Sequence, residues 1–283
     1  LTFQRLAIIF ILLHLMLVMC KQSVTVHLLA YNNTTNTTNT TNKANKMTKT
    51  NGYILYKGPS KLDGASIVVI ATGFAKQSDN TKTGDMIQTW ILRDDIKPHE
   101  AQKTGEDASV CGQCPMRPLI LARAKKNGER LNDKPCYVKT FQAPRSVQDA
   151  YQRGIYSNIT DYSVFNNRVL RVGSYGDPAA VPSKVWAKAL ENSKSNTGYT
   201  HQWERFSAPR SFVMASVESP ELRDKAKAKG FRTFRTKHAG DPLLPGEIAC
   251  PASKEAGQKT QCASCRLCGG ASVKGKDIAI NIH

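Results

Sequence analysis

The sequence lacks the short motifs of three large enzyme classes. It contains no Walker-type phosphate loop, no G-x-S-x-G turn and no H-E-x-x-H string. These motifs build a cradle for nucleotide phosphates, an exposed serine nucleophile and a pair of histidine zinc ligands, respectively. P-loop nucleotide hydrolysis, serine hydrolysis at a nucleophile elbow and zincin proteolysis therefore have no local support in this chain.

Acidic residues are scarce as well. The 283 residues include 22 Asp and Glu against 40 Lys and Arg, which gives a formal net charge of +18. Such a surplus favours polyanionic partners, through counterion release where the partner is nucleic acid. A basic surface can equally serve solubility alone. Nucleic acid is therefore a candidate partner, and the charge by itself does not select it.

Methionine is absent from position 1, and residues 1–46 carry no pattern of a folded core. An apolar run at 6–20 is typical of a signal-peptide core and short for a membrane span, but no small-residue cleavage site follows it. An Asn-Thr tract occupies 32–42. We predict that residues 1–46 are an upstream read-through or leader, that Met47 is the natural start, and that 47–283 form one globular α/β domain. The rival hypothesis is an export signal with a glycosylatable spacer.

The cysteines favour the read-through hypothesis, because closely spaced thiols fit a reducing compartment better than a disulfide framework. The predicted location is then the cytoplasm, without stable membrane association. Residues 1–46 carry four basic and no acidic residues, so the chain from Met47 onward keeps a formal charge of +14. It is expected to fold without the leader.

Seven of the eight cysteines fall into two groups. The first, C-x2-C-x21-C, consists of Cys111, Cys114 and Cys136. The second, C-x11-C-x2-C-x2-C, consists of Cys250, Cys262, Cys265 and Cys268. Two successive two-residue gaps, with a remote cysteine that precedes proline, are typical of a bacterial-type ferredoxin loop. Zinc sites more often use separated C-x2-C pairs. The second group therefore favours an iron–sulfur cluster, with zinc as the alternative.

The first group has three thiols, one fewer than a closed site. In one interpretation a histidine, such as His99, His201 or His238, completes a structural zinc site. In the other, a four-iron cluster keeps one iron without a protein ligand, so that a small molecule can bind it and receive an electron. The spacing leaves both interpretations open.

The pattern of apolar residues predicts two kinds of sheet. Strands at 53–56, 66–71 and 86–93 are joined by segments too short for helical crossovers, which indicates an antiparallel meander. After Cys136, predicted strands alternate with helices: strands at 168–174, 198–203, 211–217 and 231–236, and helices at 146–154, 183–193 and 220–229. This alternation predicts parallel strands, in an incomplete (β/α) barrel or a doubly wound sheet. The expected fold is α/β, a partial-barrel-like parallel sheet with an N-terminal meander and Cys-rich metal loops.

Polar residues follow the predicted parallel strands. Tyr175, Gly176 and Asp177 follow one strand, His201 lies near the end of the next, and Glu218 follows a third. In a β/α barrel the carboxyl ends of the strands meet at one rim, where active sites form. We therefore predict catalytic roles for Asp177, His201 and Glu218, and cofactor binding at Tyr175 and Gly176. Each residue alone would also fit a turn or a helix cap.

Eight stretches between Gly52 and Gly270 carry a family resemblance. They read GYILYKGPSKLDG, VCGQCP, PCYV, RVGSYGDPAAVP, NTGYTHQW, MASVES, FRTFR and LPGEIACPASKEAGQKTQCASCRLCGG. The chain resembles a family of uncharacterised, cysteine-rich proteins encoded by phages and prophages. It looks like a distant relative of phage proteins with a radical S-adenosylmethionine-like partial barrel. The resemblance implies cytoplasmic expression and clusters near the carboxyl ends of the strands. The C-x3-C-x2-C string of most radical S-adenosylmethionine enzymes does not occur here.

Two hypotheses about function follow. In the first, the chain is a radical-type metalloenzyme: the first cysteine group engages S-adenosylmethionine, the second holds an auxiliary cluster, and the three predicted catalytic residues orient substrate or move protons. In the second, it is a zinc-stapled, non-enzymatic module that binds nucleic acid or a phage or host protein.

Overall fold

The computed structural model describes residues 50–78, 80–128, 136–206 and 208–282. The predicted leader at 1–46 lies outside these ranges. No helix in the described ranges combines the length and the apolar character needed to cross a membrane.

Ten strands in the described residues form one mixed sheet. They are β1 (Gly52–Pro59), β2 (Ser66–Thr72), β3 (Met86–Arg93), β4 (Ser157–Asn158), β5 (Val169–Tyr175), β6 (Ser195–Thr200), β7 (Met214–Val217), β8 (Thr233–Lys237), β9 (Glu247–Ala249) and β10 (Asp277–Asn281). Their order in the sheet is β4-β1-β2-β3-β5-β6-β7-β8-β10-β9. The sheet is open, with β4 and β9 at its two edges.

The first three strands pair in antiparallel fashion, which confirms the predicted meander. Strand β2 is fully buried from Ile67 to Ala71, because both faces of the sheet are covered at this point. The sequence of β2 accordingly lacks the polar-apolar alternation of a half-exposed strand. The short strand β4 adds to β1 in parallel.

From β3 onward the pairing is parallel, which confirms the second part of the prediction. Strands β3, β5, β6, β7 and β8 follow one another across the sheet in chain order. Strand β10 then lies between β8 and the edge strand β9. A doubly wound sheet reverses its order at a switch point, where its ligands bind. The order observed here has no such reversal between β3 and β8, so the doubly wound alternative is wrong.

Seven α-helices in the described residues connect the strands. They are α1 (Pro98–Thr104), α2 (Ala108–Cys111), α3 (Pro118–Lys126), α4 (Ala143–Gln152), α5 (Ser183–Leu190), α6 (Pro220–Ala228) and α7 (Cys262–Cys265). Helix α5 buries Val185, Trp186 and Ala189 against the sheet, the apolar face that the sequence indicates. Helix α6 begins at the predicted residue, and the hydroxyl of the preceding Ser219 caps it by accepting the Leu222 N–H at 3.2 Å.

The cysteine segments are more regular than the predicted loops. Cys111 is the last residue of α2, and Cys262 and Cys265 are the two ends of α7. The N–H of Cys265 donates to the Gln261 carbonyl at 2.8 Å, and the Arg266 N–H donates to the Cys262 carbonyl at 3.1 Å. These bonds close one helical turn, so the two-residue gap places both thiols at one turn's spacing.

Strand β6 begins and ends earlier than predicted. It spans Ser195–Thr200 instead of 198–203, because the chain turns directly after Thr200. The Thr200 hydroxyl accepts the Gln202 N–H at 2.9 Å and donates to Asp177 at 2.8 Å. The turn therefore removes His201 from the strand and leaves it at the carboxyl end of the sheet.

Candidate functional site

A cavity of about 640 Å³ lies on one face of the parallel sheet, towards the carboxyl ends of its strands. All seven cysteines of the two groups line it: Cys111, Cys114, Cys136, Cys250, Cys262, Cys265 and Cys268. All seven are free thiols. Four of the five other predicted site residues also line it: Tyr175, Gly176, Asp177 and His201. The fold thus brings two cysteine groups that are far apart in sequence onto one cavity.

A buried ion pair holds the first cysteine segment in place. Arg117 lies 2.5 Å from Asp107, and both side chains are less than 10% exposed. The same guanidinium donates to the carbonyl oxygens of Gly105 and Gly112, at 2.7 and 2.8 Å. These charge-assisted bonds fix the backbone on both sides of α2, which ends at Cys111.

Gln202, which follows the carboxyl end of β6, clamps the first cysteine segment by two hydrogen bonds. Its amide donates to the Cys111 carbonyl at 3.1 Å and accepts the Gln113 N–H at 3.2 Å. Gly112 has φ +58°, and a Cβ at this position would lie 2.4 Å from the Gln202 side chain. Only glycine therefore fits between Cys111 and Gln113, since both the backbone conformation and the clamp exclude a side chain.

The three predicted catalytic residues form one chain of contacts. The backbone N–H of His201 donates to the Asp177 carboxylate at 2.8 Å, and His201 Nε2 lies 2.7 Å from Glu218 Oε1. The Cys114 thiol is also near enough to the His201 ring to raise the pKa of that ring. Glu218 is not among the described residues that line the cavity, so it orients His201 from behind. The structure brings these residues together, and their catalytic roles stay a prediction.

Electrostatics favour a protonated His201. Burial lowers its pKa, but the neighbouring Cys114 thiol and the Glu218 carboxylate outweigh burial, so the pKa lies well above the usual histidine value. The other two histidine candidates for the first group lie elsewhere. His99 is in α1 and does not line the cavity, and His238 is exposed beyond β8. Of the three, only His201 contacts the first group.

Asp177 has its hydrogen-bonding capacity largely filled. One carboxylate oxygen accepts the Ala179 N–H and the Thr200 hydroxyl, at 2.9 and 2.8 Å, and the other accepts the His201 N–H. Burial raises its pKa, and these three hydrogen bonds oppose the rise. Asp177 therefore ties the ends of β5 and β6 together, which is the role of a cap residue as well as a site residue.

Tyr175 and Gly176 are placed beside the cavity by packing. Tyr175 is 5% exposed, and burial raises its pKa well above the usual tyrosine value. Gly176 has φ +85°, and a Cβ would lie 2.6 Å from the Ile91 side chain. Contact with β3 accounts for the glycine, while cofactor binding by this pair stays a prediction.

Several elements hold the second cysteine group. Cys250 follows β9, and its N–H donates to the Ala279 carbonyl of β10 at 2.8 Å. The Cys262 N–H donates to the Lys82 carbonyl at 2.9 Å, which ties α7 to the segment before β3. Tyr199 of β6 lines the same cavity, and it opposes the rise that burial causes in the pKa of Cys268.

Burial makes the thiols resist ionisation. It raises the pKa of five of them, Cys111, Cys136, Cys250, Cys262 and Cys268. For Cys268 the value rises to about 12. The thiols within each group raise one another's pKa further, so the members of one group lie near enough to interact electrostatically. Among the described residues, no three or more His, Cys, Asp and Glu side chains already stand close enough together to hold a metal ion.

Sequence reasoning missed one residue of this cavity. Arg171 lies in the middle of β5 and lines the cavity, and its guanidinium donates to the Tyr137 hydroxyl. Burial raises the pKa of Cys136 and of Cys262, and Arg171 opposes both rises, so its charge reaches both cysteine groups. The signal was available in the sequence, because VLRVGSY places a charged residue inside an otherwise apolar strand.

Comparisons of the chain with protein-family models, with curated proteins and with solved structures gave no match.

Proposed function

We propose that this chain is a phage-type metalloprotein that binds iron–sulfur clusters through its two cysteine groups. The first group is the reactive centre, and its ligand is a small molecule such as S-adenosylmethionine. The observation that carries this proposal is the single cavity lined by all seven free thiols. Two purely structural zinc sites would not need a common cavity, whereas a cavity between two centres leaves room for a ligand and a substrate.

The fold supports a site at this place. An open, parallel sheet with a one-way strand order is compatible with a partial (β/α)-barrel-like arrangement, in which ligands bind at the carboxyl ends of the strands. The Cys111 segment follows β3, the first strand of the parallel part. The finer, barrel-like description of the sheet belongs to this proposal.

The donor set fits an iron–sulfur cluster, because the ligands of such clusters are cysteine thiolates. A reduced cluster with one iron free of protein ligands would supply an electron to a bound sulfonium compound. Cys111, Cys114 and Cys136 would hold that centre, and the four cysteines of the second group would hold an auxiliary one. His201 would donate a hydrogen bond at the Cys114 sulfur, with Glu218 fixing the orientation of the ring.

The test compares one cysteine from each group in protein purified without oxygen. Cys114→Ser should remove one cluster's worth of iron and sulfide and leave the second centre in place, while Cys265→Ser should do the reverse. Adding S-adenosylmethionine to reduced protein should change the electron paramagnetic resonance spectrum and yield 5′-deoxyadenosine, in the Cys265 variant but not in the Cys114 variant. Protein that holds neither iron nor sulfide would refute the proposal.

A second candidate is a zinc-stapled binding module, and the contact between His201 and Cys114 favours it. Ligating histidines usually direct their second ring nitrogen to a carboxylate, as His201 does towards Glu218. His201 would then complete a site of three cysteines and one histidine. Colourless protein with stoichiometric zinc, which His201→Ala reduces by one ion, would support this candidate.

The location and the partners stay within the proposal. Thiols without disulfides among the seven described cysteines are the state expected in a reducing compartment, which supports the host cytoplasm. The net charge of +18 supports nucleic acid as a partner for the binding-module candidate.

A further inference from the structure

Arg171 is a cation without a carboxylate partner in the described residues. Among the described residues its guanidinium has one hydrogen bond, to the Tyr137 hydroxyl, and the groups that raise its pKa against burial are tyrosines and the Cys262 thiol. Guanidinium groups in protein interiors are normally paired, since taking a charge out of water costs free energy. The five donors of Arg171 are thus largely unused beside the cavity.

The cavity as a whole is poor in negative charge. Its described basic lining residues, in addition to Arg171 and His201, are Lys82, Lys254 and Arg266. Asp177 is the sole carboxylate among the described lining residues, and three hydrogen bonds already occupy its oxygens. A ligand in this cavity would therefore meet an excess of positive charge around the thiols.

Arg171 shares its cavity with cysteines of both groups. The cavity is lined by Cys136, which belongs to the first group, and by Cys262, which belongs to the second. Its partner Tyr137 is 65% exposed, so the pair lies where the cavity meets solvent. A molecule that entered from this side would reach Arg171 with a cysteine of each group nearby.

We propose that Arg171 binds the oxyanion, a carboxylate or a phosphate, of a small molecule that occupies the cavity between the two cysteine groups. Guanidinium recognises both anions through paired N–H donors in a planar fork. The Tyr137 hydroxyl accepts one N–H and holds the fork in position. This inference names the ligand class of the proposed metalloprotein, but it rests on the cavity and its charges, and a metal-free chain can test it.

The test uses two reagents that alkylate thiols by the same reaction. Iodoacetate and iodoacetamide both form a sulfur–carbon bond and release iodide, but only iodoacetate carries a carboxylate. The reduced, metal-free full chain would be treated with each, and the rates at Cys136 and Cys262 would be mapped by mass spectrometry. Arg171→Gln should lower the ratio of the iodoacetate rate to the iodoacetamide rate about tenfold at both cysteines, equivalent to ~1.4 kcal/mol.

The ratio separates anion binding from a simple effect on the thiols. If Arg171 only promotes ionisation of the cysteines, Arg171→Gln will slow both reagents equally, and the unchanged ratio would overturn the proposal. Arg168→Gln is the matched control, because Arg168 pairs with Asp85 at 2.8 Å and does not line the cavity. Its ratio should equal that of the unmodified chain.

Competition distinguishes the two sources of the oxyanion. Malonate or inorganic phosphate, each compared with chloride at equal ionic strength, should slow alkylation of Cys136 by neutral iodoacetamide. Protection by malonate alone indicates a carboxylate ligand, and protection by phosphate alone indicates a phosphate ligand. Protection by neither would contradict the inference.

A second measurement covers the case in which the metal-free chain does not fold. In the protein as purified, phenylglyoxal should modify the Arg171 guanidinium, and the modified peptide can be identified by mass spectrometry. Malonate or phosphate should protect Arg171 and leave modification of exposed arginines unchanged. An Arg171 that reacts at the same rate with and without both anions would sink the proposal, whatever metal the protein contains.

Discussion

Two arginines of the same sheet have opposite surroundings. Arg235, in β8, is 3% exposed and binds both carboxylate oxygens of Glu247, at 2.8 and 2.7 Å. Arg171, in β5, lines the cavity, and among the described residues its side chain binds only the Tyr137 hydroxyl. The first arrangement is the two-pronged pair expected of a structural ion pair. The second leaves most of a guanidinium available to a ligand.

The wider surroundings of the two arginines differ in the same way, with carboxylates near Arg235 and few near Arg171. Arg223 lies 3.7 Å from Glu247, and Lys227 lies 2.6 Å from Asp277, so the edge of the sheet near β9 and β10 combines cations and carboxylates. The cavity combines cations with thiols, and burial raises the pKa of five of these thiols. Groups held away from their preferred partners are typical of functional sites, where stability is given up for binding. We therefore expect the edge of the sheet to be structural and the cavity to be the functional site.

The largest expected loss of stability follows from a substitution in the second cysteine group, which lines the cavity. Cys265→Ala should remove its metal and lower Tm together, because a closed metal site contributes folding free energy on the order of 10 kcal/mol. Since 1 kcal/mol shifts Tm by about 2–4 °C in a domain of this size, we expect a fall of more than about 10 °C. Elemental analysis and calorimetry of the same sample measure both. Unchanged metal content and Tm would show that this group is not a metal site.

The next largest expected loss of stability follows from a substitution near the edge of the sheet, in the pair of Arg235 and Glu247. Glu247→Gln leaves Arg235 buried without a countercharge, so the free energy of unfolding should fall by about 3–5 kcal/mol. Guanidinium chloride unfolding at pH 7 measures this change. The matched control is Asp85→Asn, which breaks a surface pair and should cost less than about 1 kcal/mol. Equal costs for the two variants would contradict the structural role assigned to the buried pair of Arg235 and Glu247.

Acid should weaken the same edge pair. Burial acts to raise the pKa of Glu247, but the Arg235 guanidinium outweighs burial, and the pKa lies below the usual value of 4.5. A depressed carboxyl pKa stabilises the fold above the unfolded value and loses that stabilisation as pH falls through the folded one. The free energy of unfolding should therefore decline below about pH 4.5. Glu247→Gln should decline less steeply over this range, and parallel curves would contradict the assignment.

Much of the sheet could be predicted from the sequence. The bounds of β3 match the predicted strand, and α6 begins at the predicted residue, because local patterns of apolar residues and cap chemistry decide both. The end of β6 could not be predicted. It depends on a hydrogen bond between Thr200 and Asp177, which are distant in sequence and meet only in the folded chain.

The site could be predicted in part. Spacing alone grouped the cysteines, and polar residues at the strand ends indicated His201 and Asp177. The meeting of the two cysteine groups at one cavity depends on the strand order, which periodicity does not determine. Arg171 was missed because a charged residue inside an apolar strand fits a structural ion pair as well as a binding site until its partners are known. Its distinguishing feature is that the described residues include no carboxylate partner for it.

The smallest expected change in the free energy of unfolding is at Arg171. The sign of this change tests the contrast between Arg171 and Arg235 most directly. In the metal-free chain, Arg171→Gln removes a partly buried charge that no carboxylate of the described residues balances. We expect the free energy of unfolding to stay within about 0.5 kcal/mol or to rise by up to about 1 kcal/mol, because such a charge costs free energy to bury. Urea unfolding measures it, with Arg168→Gln as the control. A loss of 3 kcal/mol or more, on the scale of a broken buried pair, would show that Arg171 is a structural residue like Arg235. The assignment of chemistry to the cavity would then lose its support.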